Sequence, residues 1–167
     1  MGLAAAAFFL PAAAGASSTA ASSAAWGPCA GHISVWYGLP STGNLAVTVF
    51  QFQVSNTGSR GCTFFTYPKV SALTRHGTAA GLPATHRGRK VHVRIAPRGT
   101  AHFILVIENA PPCLRTHAVL ADGLKIFVFG EGRASSVRLI THQCTNKSIM
   151  SVDAIHPGAG IPGFSTS

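Results

Sequence analysis

The sequence contains few acidic residues. It has 4 Asp and Glu against 13 Lys and Arg, which gives its 167 residues a formal net charge of +9 at pH 7. General acid–base catalysis usually needs paired carboxylates or a histidine held by a partner. The four carboxylates are well separated along the chain: Glu108, Asp122, Glu131 and Asp153. We therefore predict no catalytic residue, no cofactor and no enzymatic activity, and we expect the basic chain to attract polyanions.

The N-terminal part lacks both charge and a long apolar run. No apolar run reaches the roughly 18 residues of a membrane span, and no Lys, Arg, Asp or Glu precedes Arg60. The short apolar stretch Gly2–Leu10 is followed by small residues of the A-x-A type near Ala14, as in a signal peptide. The positive charge that usually begins such a peptide is missing. We predict that residues 1–25 are a signal peptide or Ala/Ser-rich segment, with a flexible tail as the alternative.

The cysteines form no C-x-x-C pair. There are 4, at wide spacing: Cys29, Cys62, Cys113 and Cys144. An even number of separated cysteines is typical of an oxidised, exported domain. We therefore expect disulfides and a secreted or cell-surface location. Three pairings of four cysteines remain open.

The chain also lacks a sustained helical period, and its pattern after residue 25 is that of short β-strands. Gly, Pro, Asn or Ser separates most of the apolar runs, which is typical of an all-β sandwich or barrel. We predict strands at Ile33–Tyr37, Leu45–Val54, Cys62–Thr66, Val70–Thr74, Val91–Ile95, Ala101–Ile107, Leu124–Phe129, Val137–Ile140 and Ile149–Ile155. The apolar positions change face between Val49 and Phe50, which predicts a β-bulge there. One short helical turn is expected near Cys113–Ala118.

Several motifs resemble a known family. They are Asn56–Gly58, then Cys62–Thr63, then Tyr67–Val70, and the turn Ile95–Ala101. Together they resemble the four-cysteine domain-of-unknown-function family 4232, which is common in secreted and surface proteins of actinobacteria. Thr66 departs from the glycine that this family usually has before its Tyr-Pro. The resemblance implies an immunoglobulin-like antiparallel β-sandwich with two disulfides, favours the pairings Cys29–Cys62 and Cys113–Cys144, and implies no activity.

Eight histidines make a metal site the alternative function. If Cys113 and Cys144 lie close together as thiols, then His117 and His142 complete a Cys₂His₂ set suited to zinc. An exported pair of cysteines usually forms a disulfide, which supplies no thiolate ligand. We therefore predict no metal ligands, and we keep an extracytoplasmic metal-binding protein only as the alternative.

The segment His86–Arg94 is the most functional-looking part of the sequence, because it is rich in cations. If Lys90–Ile95 is a strand, Lys90, His92 and Arg94 share the outer face, about 6–7 Å apart, while Val91, Val93 and Ile95 point inward. The candidate residues for binding an anionic polymer are Arg87, Arg89, Lys90, His92 and Arg94. The alternative is an edge strand kept soluble by its charges. No aromatic residue alternates with these cations, so stacking on single-stranded nucleic acid is not expected.

These observations predict a signal or Ala/Ser-rich segment at 1–25, a β-sandwich domain at 26–156 and a flexible tail at 157–167. The predicted function is that of a non-catalytic binding or structural module of the cell envelope. Its predicted partner is an anionic cell-wall polymer or another envelope component. No specific nucleic acid and no transmembrane segment after signal cleavage are expected.

Overall fold

The computed structural model describes residues 26–29, 31–37, 42–109, 111–128 and 134–160. These residues form short strands and one 3-10 helix, Pro112–Arg115. In chain order the strands are β1 (Gly27–Pro28), β2 (Ile33–Tyr37), β3 (Thr42–Gly43), β4 (Val47–Asn56), β5 (Cys62–Phe64), β6 (Lys69–Leu73), β7 (Thr85–Arg87), β8 (Val93–Ile95), β9 (Thr100–Glu108), β10 (Ala118–Phe127), β11 (Ser135–Cys144), β12 (Met150–Asp153) and β13 (His156–Pro157). The predicted signal segment 1–25 and the last part of the predicted tail, 161–167, lie outside the described residues.

The strands form three sheets in a sandwich-like arrangement. The largest has the order β2-β4-β9-β12-β7, with β3 also paired to β4 and β13 also paired to β9. A second sheet has the order β11-β10-β6, and a small third sheet has the order β1-β5-β8. Most neighbours are antiparallel, but β12 with β7 and β1 with β5 are parallel. The predicted all-β antiparallel sandwich is confirmed, with these two parallel pairs as additions.

One hydrophobic core lies between the sheets. In β9 every second residue points into it, so Ala101, Phe103 and Leu105 are fully buried, as the period of two requires. Phe103 lies opposite Phe52 of β4, and the two rings stack with centroids 5.0 Å apart. Leu124 and Ile126 of β10 are buried in the same core cluster. The alternating apolar residues of these strands therefore hold the sheets together around one core.

The predicted bulge in β4 is wrong. β4 and β9 pair without a break from Val47 opposite Glu108 to Ser55 opposite Thr100. Val47 and Val49 lie on the face opposite to Phe50, and both valines are half-buried. That face is therefore partly covered, and it accepts valine without a change of register.

A bulge does occur in the second sheet. Ala121 of β10 lies opposite Thr141 of β11, but Gly123 lies opposite Arg138. Two residues of β11, Leu139 and Ile140, thus oppose the single residue Asp122, and this count defines a bulge.

The two disulfides are Cys29–Cys62 and Cys113–Cys144, with Cα atoms 4.7 and 5.8 Å apart. This confirms the pairing that the family resemblance favoured. The bridges close loops with sequence separations of 33 and 31 residues. On the chain-entropy argument each stabilises the fold by roughly 3–4 kcal/mol.

The predicted helical turn near Cys113 is confirmed as the 3-10 helix Pro112–Arg115. Within the residues described, no helix is long and apolar enough to cross a membrane. Gly158 continues along β9 after β13: its N–H donates to the Thr100 carbonyl, and its carbonyl lies 2.9 Å from His102 Nδ1.

Candidate functional site

Of the predicted cations, Arg94 lies on the small sheet, Arg87 lies on β7, and the others lie in the segment between β7 and β8. β5 and β8 are antiparallel, with Thr63 opposite Arg94 and Phe64 opposite Val93. Val93 is buried and Arg94 is exposed, as predicted. The outward residues of the two segments therefore run side by side in opposite directions.

The strand that carries Arg94, β8, is shorter than the predicted strand Val91–Ile95. β8 begins at Val93, not at Val91, because the partner strand β5 ends at Phe64 and offers no further ladder. Val91 is 40% exposed and so does not point into the core, which corrects the prediction. Lys90 and His92 precede the strand. Both side chains are exposed, and each contacts an aromatic ring.

Aromatic rings lie beneath these cations. His92 stacks on Phe65 with ring centroids 4.1 Å apart. Lys90 Nζ lies 5.6 Å from the centre of the Tyr67 ring, and His86 stacks on that ring at 4.6 Å. No aromatic residue alternates with these cations in the sequence; the rings beside them, Phe65 and Tyr67, come from the segment that follows β5.

Arg94 continues the same pattern at the other end. Its guanidinium carbon lies 5.9 Å from the centre of the Trp26 ring, within the range of a cation–π contact. Trp26 is 45% exposed and Phe65 is 54% exposed. We call the whole set the basic aromatic surface: Trp26, Phe65, Tyr67, His86, Arg87, Arg89, Lys90, His92 and Arg94.

Two glycines shape this surface. A Cβ added at Gly61 would lie 2.7 to 3.0 Å from three carbons of the Trp26 ring, so the indole rests directly on the Gly61 backbone. Gly88 has φ +73°, a conformation that favours glycine. Its carbonyl accepts a 2.7 Å hydrogen bond from the Tyr67 hydroxyl. This bond ties the Tyr67 ring to the loop that carries Arg89 and Lys90.

The cations of the surface differ in whether a carboxylate neutralises them. Arg87 lies on β7 opposite Asp153 of β12, and their side chains approach to 3.9 Å. Asp153 is the one carboxylate among the described residues that forms an ion pair with this surface. Arg89 is exposed and makes no ion pair within the described chain. Arg89, Lys90 and Arg94 therefore carry most of the uncompensated charge.

An open groove lies beside the Cys29–Cys62 disulfide. Its volume is about 550 Å³, and its lining includes His32, Asn56 and Arg60. Asn56 is 3% exposed. Its amide nitrogen donates to the Arg60 and Ala96 carbonyls, at 2.7 and 3.1 Å, and its oxygen accepts from the Gly58 N–H. The polar atoms of Asn56 are thus used to hold the turn.

The sequence model of the family described as "Domain of unknown function (DUF4232)" matches residues 29–155. The chain belongs to this family. No curated protein and no solved structure matches it.

The motif residues of this DUF4232 domain have structural roles. Asn56 joins the end of β4 to the turn that follows β8, as described above. Gly99 N–H closes that turn on the Ala96 carbonyl at 2.9 Å. Tyr67, by contrast, is both a motif residue and part of the basic aromatic surface. No signal in Phe65 or Trp26 alone identified them as site residues. The pairing of β5 with β8 brings Phe65 into the surface, and the pairing of β1 with β5 brings Trp26 there.

The Cys₂His₂ zinc set is contradicted in this DUF4232 domain. Cys113 and Cys144 are joined in a disulfide, which withdraws two of the four ligands. His117 and His142 are both exposed. In the described part of the chain, no three His, Cys, Asp or Glu residues are grouped as metal ligands.

The described carboxylates do not converge either. Glu108 accepts from Lys147 Nζ at 3.1 Å, and Asp153 lies beside Arg87. None of the described carboxylates lines the groove near Asn56 or the smaller groove of about 360 Å³ between β2 and β11.

Proposed function

We propose that this domain is a non-catalytic binding module of the cell envelope, and that it holds an anionic envelope polymer on the basic aromatic surface. The observation that supports the proposal is a row of contacts between basic side chains and aromatic rings: Arg94 lies over Trp26, Lys90 lies over Tyr67, and the His92 ring stacks on Phe65. Guanidinium and ammonium groups bind phosphate or carboxylate groups of a polymer. The rings beneath them limit their motion, so less side-chain freedom is lost on binding.

The competing explanation is an edge strand kept soluble by its charges. β8 is an edge strand of the small sheet, and Lys or Arg on an edge suppresses aggregation. That role does not require exposed rings, however. Trp26 and Phe65 expose about half of their surface beside the cations, which favours a binding surface, because exposed aromatic groups are characteristic of recognition sites.

The proposal includes a location outside the cytoplasm. Two disulfides in a small β domain are compatible with an extracytoplasmic location. The N-terminal segment has the composition of an export signal, and the family resemblance supports a secreted or surface protein of an actinobacterium.

The test is retention on anionic wall material. The surface variant carries Arg87→Ser, Arg89→Ser, Lys90→Ser and Arg94→Ser. A matched control carries Arg75→Ser, Arg115→Ser, Lys125→Ser and Arg138→Ser, all of them exposed cations outside the basic aromatic surface. Both variants lose four formal positive charges, so any effect of net charge alone is equal.

We expect the surface variant to lose retention, with an affinity lower on the order of a hundredfold if each contact contributes a typical exposed ion pair. The control should keep most of its retention. Circular dichroism and thermal unfolding check that both variants fold. Equal retention of the surface variant and the wild type would contradict the proposal. An equal loss in both variants would reduce the binding to net charge.

A further inference from the structure

The basic aromatic surface contains two exposed histidines, His86 and His92, beside its permanent cations. Imidazole is the side chain that gains a proton between roughly pH 8 and pH 5. We propose that protonation of His86 and His92 strengthens the binding of the anionic polymer, so that the domain binds more tightly under acidic conditions. This inference rests on the proposed function of the same surface.

Two cations, Lys90 and Arg87, lie near His86. Its ring stacks on Tyr67 at 4.6 Å, and Lys90 Nζ lies over the same Tyr67 ring. On β7 its neighbour is Arg87, which faces Asp153 of β12. Asp153 is therefore the one described carboxylate in this neighbourhood that forms an ion pair, and Arg87 is its partner.

His92 has a similar setting. Its ring stacks on Phe65, and its neighbours on the exposed side of the segment are Lys90 and Arg94. No described carboxylate forms an ion pair with His92. A proton on either imidazole therefore adds charge to a surface that is already positive.

The rings allow this charge to be added in place. An imidazolium ion is attracted to the face of an aromatic ring, so protonation does not break the stacks on Phe65 and Tyr67. A bound polyanion places negative charge beside the imidazoles and so favours their protonated form, and binding therefore takes up protons. By linkage, a complex that binds more protons than its free components becomes tighter as the pH falls.

The probe is dextran sulfate, because its sulfate esters stay fully charged throughout this pH range. Its affinity is measured at about pH 7.5 and about pH 5.5, on either side of the usual histidine transition. The test variant is His86→Gln with His92→Gln. The matched control is His117→Gln with His142→Gln, two exposed histidines outside the surface. Calorimetry in buffers of different ionisation enthalpy counts the protons taken up on binding.

We expect the wild type and the control to bind on the order of tenfold more tightly at the lower pH. The test variant should lose this gain and the proton uptake, so that its affinities at the two pH values become nearly equal, whatever its affinity at the higher pH. The dependence of log affinity on log salt should also be steeper for the wild type at the lower pH, because each engaged imidazolium releases further counterions from the polymer.

Binding that is equally tight at both pH values overturns the inference but leaves the proposed function standing. The inference is also overturned if the test variant still binds more tightly at the lower pH, or if the control does not. If the wild type binds no dextran sulfate at either pH, the proposed function fails first and the inference fails with it.

Discussion

His92 stacks on Phe65 with ring centroids 4.1 Å apart and ring planes 16° apart. The two residues stand just beyond the paired ends of β8 and β5, where the ladder has stopped. The stack thus continues the contact between these two segments after their backbone hydrogen bonds end. It also keeps an imidazole flat on an exposed ring, next to Lys90 and Arg94.

Phe65→Ala removes the ring under His92. Phe65 is 54% exposed, so we expect the free energy of unfolding to fall by less than about 1 kcal/mol. The affinity for dextran sulfate should fall by about threefold to fivefold, because His92 loses the aromatic stack that holds it in place. The control is Ile140→Ala, which truncates an apolar residue of similar exposure, 61%, on β11. A large loss of stability with unchanged affinity would show that the ring is structural.

Gly61→Ala should move Trp26 away from Arg94. The new Cβ would lie within 3.0 Å of three ring carbons, and the half-exposed indole can swing outward to relieve this contact. We expect a change in Trp26 fluorescence and a polymer affinity lower by about threefold. Both are measured in a Trp36→Phe background, which leaves one tryptophan. Gly27→Ala is the control, because nothing lies within 4 Å of its added Cβ. Identical spectra for the two variants would refute the prediction.

The two disulfides should differ in what they do for binding. Replacing either pair by serine should cost roughly 3–4 kcal/mol of stability, since the loops are similar in length. Cys29–Cys62 also ties β1 to β5 and so holds Trp26 beside Arg94. We expect Cys29→Ser with Cys62→Ser to weaken polymer binding at a temperature where the protein is still folded. Cys113→Ser with Cys144→Ser should lower the melting temperature by a similar amount and leave the affinity unchanged. The opposite order of affinities would count against the assignment of Trp26 to the surface.

Asn56→Ala should be among the more destabilising substitutions of a polar residue. The side chain is buried and makes three hydrogen bonds to backbone groups of Gly58, Arg60 and Ala96. Each such bond contributes about 1 kcal/mol, and an unpaired buried group costs more. We expect a loss of about 3 kcal/mol in urea unfolding. Asn146→Ala, at an exposed position, should change stability by less than about 0.5 kcal/mol. A loss below about 1 kcal/mol for Asn56→Ala would mean that water replaces these bonds.

The strands were the most predictable part of the fold. Ile33–Tyr37 is β2 as predicted, and Ala101–Ile107 lies within β9. Both runs follow the local period of two, which depends only on neighbouring residues. The bulge was misplaced for a related reason. Val49 and Phe50 show which positions are apolar, but not that both faces of β4 at this point are half-covered.

The candidate site was only half predictable. The cations of the basic segment were identified because they are close together in the sequence. Their rings were not, because Phe65 and Tyr67 reach them through the pairing of β5 with β8, and Trp26 through the pairing of β1 with β5. The ion pair of Arg87 with Asp153 was also missed, since it depends on the parallel pairing of β7 with β12.

The sequence by itself determined the positions of strands such as β2 and β9, the even set of separated cysteines and the excess of cations in one segment, because each of these is a local or compositional property. Only the tertiary structure decided which cysteines join, which rings lie under Lys90, His92 and Arg94, and which cation is partly neutralised by a carboxylate. These contacts depend on the register between strands that are distant in the chain. That register is set by how the buried side chains of all the sheets pack together.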